Sequence, residues 1–426
     1  SLFLHQNQNP FSSSLSSSFC FSFSSSFSLS FSSSYTHVTN KHQSISSTLN
    51  KPKSQIPLFL SVFGVGVSFF LAMVSSPFLL PFALLLSFSL LFVFPFNQSQ
   101  SSFFGDLQDL ALFHTATLQL QNSHAGGGGG VSSVSRLGIT SNPKPKIAFL
   151  FLTNSDLSFA PLWERFFHGH ELRYNIYIHA DPTVQLTPPG GVFDGRFVPA
   201  RKTYRASPTL ISAARRLLAR AVIDDPLNLY FALVSQHCIP IHSFDFMYSF
   251  LFKNSITSLR SFSSKSSYKS YIEILSDEPN LYERYAARGP TAMLPEVPFE
   301  QFRVGSQFFI LTRNHAVLVV KERKLWMKFE LPCLGEEPCY PEEHYFPTLL
   351  SMEDPEGCSH YTLTRVNWTG CWDGHPHLYS PEEVSPELIH TLRLSNSSYS
   401  YFFARKFSPE SLTPLMQIAD DVIFRD

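Results

Sequence analysis

The 426-residue chain carries 32 Lys and Arg against 33 Asp and Glu, a formal net charge of −1. That balance excludes a nucleic-acid binder, which shows a basic excess, and 44% hydrophobic residues supply a sizeable core. The averages conceal two materials. Residues 1–140 hold four basic residues (Lys41, Lys51, Lys53, Arg136) and two acids (Asp106, Asp109), which leaves 28 basic and 31 acidic residues in 141–426.

Residues 1–50 contain 19 Ser, many next to Phe, and no acid. No regular apolar face results, so the segment 1–72 is expected to be disordered. A Ser-rich, acid-free start also fits a transit peptide and hence a plastid membrane protein, although Arg is absent too. Met73 is the first methionine and heads the uncharged apolar run Pro77–Phe96, so it reads as an initiator with 1–72 as upstream sequence rather than native protein. No charged residue occurs between Lys53 and Asp106. About 20 apolar residues suffice to span a bilayer as a helix. Residues 73–96 are expected to be a signal-anchor helix with its best span at Leu79–Phe94; two spans broken near Pro77 and Pro81 are the alternative. No Ala-x-Ala site follows Phe96, so the anchor stays uncleaved. Lys41, Lys51 and Lys53 before it place the N-terminus in the cytosol and the remainder in the lumen. Residues 97–145, polar and interrupted by Gly126–Gly130, read as a flexible stem.

From residue 146 onward the pattern is globular. Ile147–Leu152 is a continuous apolar run, the mark of a strand covered on both faces. Helical spacing follows over 159–170, then a strand at Tyr174–His179 and a short one at 196–200. Ser207-Pro208 opens a helix that runs to about Asp224, with Ser as cap and Pro in the first turn. Leu229–Ser235 is another buried strand. Residues 253–270 form a polar Ser/Lys loop. Strands at 271–275 and 307–311, helices at 314–324 and 341–350, and a last strand at Tyr401–Ala404 complete the reading. Strands alternating with helices predict an α/β fold, Rossmann-like with a mostly parallel central sheet, in which ligands sit at the carboxyl ends of the strands. Attention therefore falls on Thr153-Asn154, Asp181 and Ser235–Cys238.

Cys333, Cys339, Cys358 and Cys371 lie too irregularly for a zinc site. Cys333–Cys339 and Cys358–Cys371 are candidate short disulfides, and reduced buried thiols are the equal alternative; Cys238 reads as a buried free thiol. Sequons at Asn97, Asn367 and Asn396 fit a lumenal domain.

The segments YNIYIHADPT (174–183), NLYFALVSQHCIPI (228–241), YIEILSDEPNLYERY (271–285), FRVGSQFFILTRNHA (302–316), CYPEEHYFPTLL (339–350), NWTGCWDGHPHLYSPE (367–382) and YFFARKFSP (401–409) follow one another in an order that resembles the core-2/I-branching beta-1,6-N-acetylglucosaminyltransferase family, in particular its plant branch. The resemblance implies a single-pass type II Golgi membrane protein with a lumenal GT-A-like domain over 146–426. It implies inverting transfer of a GlcNAc-like sugar from a UDP-sugar to a glycan or glycoprotein acceptor, with no metal and no other cofactor. It assigns Glu343, the second acid of PEEH, as catalytic base. Asp181 and Tyr204 contact the uridine, Leu152 gives a backbone contact to the uracil, and Lys406 in ARKF takes the diphosphate charge. Arg393, or else Arg405, is the second cation, and Trp368 faces the acceptor. His237 departs from the small or acidic residue of animal members at that strand end.

The residues speak to the same chemistry. Inversion needs one carboxylate to take the proton of the acceptor hydroxyl and positive charge on the departing diphosphate. Residues 141–426 contain no Asp-x-Asp to hold a metal, so a fixed cation must carry that charge. Taken alone, Lys406 reads as a solvated lysine at a strand end, Glu342 and Glu343 as good first-turn residues, and Trp368 as core. Glu343 lies near a helix start, where the dipole favours its ionised form. Three further readings remain: a xylosyl- or glucuronosyltransferase on the same fold, a non-catalytic membrane-anchored glycan-binding protein, and the plastid protein.

Overall fold

The computed structural model describes residues 107–118, 144–258, 268–335, 339–369, 375–396 and 399–426. The Ser-rich segment 1–72, the expected anchor 73–96 and most of the stem 97–145 lie outside them. Among the described residues no helix is long and apolar enough to cross a membrane. The contacts below fall within the compact unit Asp109–Asp426.

The first described helix, α1 (107–118), is followed by β1 (Lys146–Thr153), α2 (Ala160–Phe167), β2 (Tyr174–Ala180), α3 (Pro208–Asp224) and β3 (Asn228–Ser235). Next come β4 (Ile239–Pro240), α4 (Phe244–Ser258), β5 (Ser270–Glu273), α5 (Leu281–Ala286), β6 (Ile310–Thr312), α6 (Arg313–Lys321) and α7 (Lys324–Phe329). The chain ends with α8 (Pro341–Glu353), β7 (Cys358–His360), β8 (Thr364–Val366), α9 (Pro386–Arg393), β9 (Phe403–Arg405) and α10 (Leu412–Gln417). The central sheet has the order β2-β1-β3-β6-β5-β7, and a small sheet has the order β4-β9-β8. β1 runs parallel to β2 and β3, and β5 to β7, whereas β6 is antiparallel to both its neighbours. This mixed α/β layout with a mainly parallel central sheet fits the expected GT-A-like domain.

β1 is apolar throughout because both its faces are covered. Ile147, Phe149 and Phe151 pack with α2, α4 and β9, and Ala148, Leu150 and Leu152 pack with α3, α6 and α8. α3 starts where its cap predicts: the Ser207 hydroxyl accepts the Thr209 N–H and Pro208 occupies the first turn.

Three local expectations fail. The strand at 196–200 reduces to one bridge, Ile178 with Phe197. Pro199 brings no N–H to a ladder, and Phe197 stays 43% exposed, so nothing covers a strand there. The polar loop 253–270 begins as helix, since α4 continues to Ser258, and 259–267 lie outside the described residues. Within the expected stem, 107–118 is a helix bound to the domain. Asp109 accepts Arg216 Nε and Nη2, both at 2.7 Å, with Arg201 Nη1 at 3.5 Å. The Phe113 ring lies 4.8 Å from the Arg215 guanidinium, and Ala116 is buried. A bidentate carboxylate–guanidinium pair fixes orientation as well as distance, so this stretch acts as part of the globular unit.

Candidate active site

β1, β2 and β3 end together, and the residues just beyond them define one rim. Asn154 Oδ1 accepts Gln236 Nε2 at 2.7 Å across the ends of β1 and β3. Leu152, the residue before the end of β1, is buried and lies in register with His179 on one side and Ser235, the last residue of β3, on the other.

Asp181 stands at the end of β2, 4% exposed. One carboxylate oxygen accepts the Thr183 N–H (2.8 Å) and hydroxyl (2.6 Å), and the other accepts the Thr203 N–H (2.7 Å) and hydroxyl (2.9 Å). Burial pushes its carboxyl up, but these four donors prevail and hold it at about 2. All four acceptor positions are taken by the chain. Asp181 therefore pins the loop 201–205 against the end of β2. That loop carries Tyr204, 53% exposed, with Lys202 Nζ 4.7 Å from its ring centroid. An exposed ring on a pinned loop suits stacking on a flat base.

The small sheet brings cations to the same end. β9 delivers Arg405 and Lys406, and Phe407 N–H bonds the His237 carbonyl just past β3 (3.3 Å). Lys406 is half-buried. His237 bonds the Phe407 carbonyl through Nδ1 at 3.1 Å; burial, then Lys406 and Arg405, lower its imidazole to about 4, so it is neutral at physiological pH. The Arg405 guanidinium lies 4.5 Å from the Phe308 ring centroid, and its Nε has no partner among the described residues. Burial lowers it from the ordinary arginine value, and Glu343 acts in the opposite sense. Arg393 is elsewhere. Its Nε donates to the Ile241 carbonyl (2.6 Å) and its Nη2 to the carbonyls of Val422 and Ile423 (2.8 and 3.0 Å), beside Asp426 at 3.6 Å. It ties the C-terminal segment down, whereas Arg405, the alternative second cation, stands next to Lys406 at the strand ends.

Acids enter from α8. Glu343 Oε2 meets Arg284 Nη1 of α5 at 3.1 Å, with the Glu343 side chain 30% exposed. Burial raises its carboxyl above the ordinary glutamate range, while Arg284, Arg205 and Arg405 pull it back. Desolvation thus outweighs the helix-start effect expected to favour the ionised form. Glu342 turns inward instead: it is 4% exposed, its Oε1 accepts the Ala206 N–H at 3.1 Å, and burial pushes it up to about 8. Two further acids face Glu343. Glu273, at the end of β5, and Glu278 are each pushed up to about 7, chiefly by burial and with Glu343 contributing. Gly305 makes the junction of β5 with α8 possible. Its N–H bonds the Glu343 carbonyl at 2.9 Å, and a Cβ there would lie 1.9 Å from the Glu273 carbonyl oxygen. Sequence reasoning misses Arg284, Glu273 and Glu278 as site residues. Their signal is an Arg and two acids inside segments that carry the resemblance only by their order.

Trp368 is half-buried in the loop that follows β8, whose Val366 pairs with Arg405. The sequon residue Asn367 lies in that loop, its side-chain oxygen accepting the Thr369 N–H at 3.0 Å. Asn396 is exposed, and Asn97 lies outside the described residues. Cys333 and Cys339 form a disulfide, whereas Cys358 is a buried free thiol, as is Cys238. The second short bridge is therefore not formed at Cys358; Cys371 lies outside the described residues.

Residues 147–393 match the family model of the Core-2/I-branching enzyme. The chain is 28% identical over 346 residues to a rice (Oryza sativa subsp. japonica) protein named Glycosyltransferase BC10, an alignment that spans 67% of this chain and 81% of the relative. A rim of strand ends lined by an exposed aromatic ring, two cations and an ion-paired glutamate, on a chain that matches that model over more than half its length, identifies a glycosyltransferase of the Core-2/I-branching enzyme family, plant branch.

Proposed function

We propose that the protein is an inverting, metal-independent transferase that moves a GlcNAc-like sugar from a UDP-sugar to a glycan or glycoprotein acceptor. The observation that carries this reading is the pairing of one partly exposed carboxylate, Glu343, with fixed cations at the carboxyl end of the sheet. Tyr204 stacks on the uracil. Lys406 and Arg405 hold the diphosphate. As the acceptor oxygen bonds to the anomeric carbon, its proton passes to Glu343, the bond from that carbon to the diphosphate oxygen breaks, and UDP leaves with its electron pair. The negative charge that builds on the leaving group meets Lys406 and Arg405, which do the work that other enzymes of this fold assign to a metal.

Hydrolysis of UDP-GlcNAc, UDP-xylose and UDP-glucuronic acid by the purified domain tests both donor and metal. UDP release should persist in EDTA. Loss of release in EDTA with recovery on adding manganese would show that a metal carries the diphosphate charge. Preference for UDP-xylose or UDP-glucuronic acid would move the protein to the corresponding transferase class, and His237 at the strand end makes both donors part of the screen.

The same reading puts the protein in the Golgi membrane through residues 73–96, with the domain in the lumen and Asn367 and Asn396 as glycosylation acceptors. The C-terminal domain should then resist added protease in sealed vesicles and lose that protection with detergent. Digestion without detergent would reverse the topology.

A further inference from the structure

Tyr340 has a backbone that a bulky side chain rarely adopts, φ 42° and ψ 60°. Such a conformation costs energy and persists where its surroundings impose it. Both chain neighbours of Tyr340 are themselves constrained. Cys339 is bonded to Cys333, and Pro341 is the first residue of α8. The Tyr340 carbonyl accepts the Glu343 N–H at 2.9 Å, so the residue is joined directly to the turn that carries the base. The ring faces two guanidiniums from distant parts of the chain. Arg284 of α5 lies 5.1 Å from its centroid and Arg205, ahead of α3, lies 5.7 Å away. The first of these also forms the 3.1 Å pair with Glu343. The second acts on Glu342 and Glu343 and touches His375 Nε2 at 2.6 Å. The Tyr340 hydroxyl makes no hydrogen bond among the described residues, so the ring face is the part in use.

We propose that Tyr340 is a positioning residue for the base: its ring, turned by the left-handed backbone, holds the Arg284 and Arg205 guanidiniums beside Glu343. This rests on the reading of Glu343 as the base. The groups that face Glu343 are Arg284 from α5, Arg205 ahead of α3, Arg405 from β9, Glu342 on α8 itself, Glu273 from β5 and Glu278. Removing the ring loosens two of the three cations and leaves every acid in place. The Glu343 carboxyl must then rise, and because the base works deprotonated, the acid limb of the pH–rate profile moves to higher pH.

Three variants separate this role from simple folding. Tyr340→Gly removes the ring and also relieves the left-handed backbone, so it should unfold at the same temperature as the parent or higher. It should nevertheless lose kcat/KM on the acid side of the profile, because at a given pH there a smaller fraction of the base is deprotonated. Its acid limb should move up. Tyr340→Phe should restore both rate and limb, and Tyr340→Leu should not. In an Arg284→Gln background the glycine change should add little, since both act on the same pair. A glycine variant with the parental pH profile overturns the proposal, as does a phenylalanine variant as impaired as the glycine one. Glu343→Gln is measured in parallel. If it keeps full transfer, the base assignment falls and the proposal with it; if it is inactive while Tyr340→Gly behaves like the parent, the Tyr340 role alone is wrong.

Discussion

Glu343→Gln should lower transfer by about 10²–10⁴-fold, the usual contribution of a general base, and leave UDP affinity nearly unchanged. The amide keeps the size of the side chain and one oxygen for Arg284 Nη1, now at 3.1 Å from the carboxylate, but it cannot take a proton. The nucleotide contacts assigned to Tyr204 and Lys406 are untouched. In the parent, turnover should fall as pH drops through a Glu343 value above the ordinary glutamate range, because burial raises it more than Arg284, Arg205 and Arg405 lower it. Glu342→Gln is the built-in control. Burial pushes Glu342 up to about 8, so near neutral pH it is protonated, and glutamine resembles that state while still accepting the Ala206 N–H. Its effect should be far milder. Initial rates with saturating donor, together with UDP titrations, measure both. A larger loss in Glu342→Gln, or loss of UDP binding in Glu343→Gln, would remove Glu343 from the role of base.

What the sequence discloses follows from how local each determinant is. The apolar run of β1 and the Ser207-Pro208 start of α3 are written in neighbouring residues, and both elements form where those residues dictate. The strand expected at 196–200 depends instead on a neighbour to cover Phe197, and none does. The site divides in the same way. Arg393 and Arg405 are indistinguishable as cations near the ends of elements. Only the packing of the C-terminal segment, which offers the carbonyls of Val422 and Ile423 to Arg393, tells them apart. The Thr203 donors that tie their loop to Asp181 lie 22 residues downstream, and no local pattern announces them. Arg284 sits 59 residues from the glutamate it pairs with, and no spacing rule connects the two.

Lys406→Ala should cost about 10²–10³-fold in turnover, the scale of removing one preorganised group that stabilises developing charge, and should also weaken UDP binding. The magnitude follows from how little else is available. His237 beside it stays neutral at physiological pH, so it supplies no replacement charge. Arg405 is held against Phe308 and shares its field with Glu343, which offsets part of its charge. Lys406→Arg should recover part of the loss, since it restores the charge but places a planar fork where a compact ammonium stood. Arg393→Lys makes the comparison decisive, because both changes alter a cation in the C-terminal third of the domain. Arg393 serves the carbonyls of Ile241, Val422 and Ile423 with geometry that lysine cannot reproduce, so its replacement should lower the unfolding midpoint while the folded fraction binds UDP as before. Calorimetric UDP titration beside thermal unfolding distinguishes the two. A Lys406→Ala protein that binds UDP and turns over like the parent would show that the diphosphate charge is met by another group, and Arg405 would be the first to test.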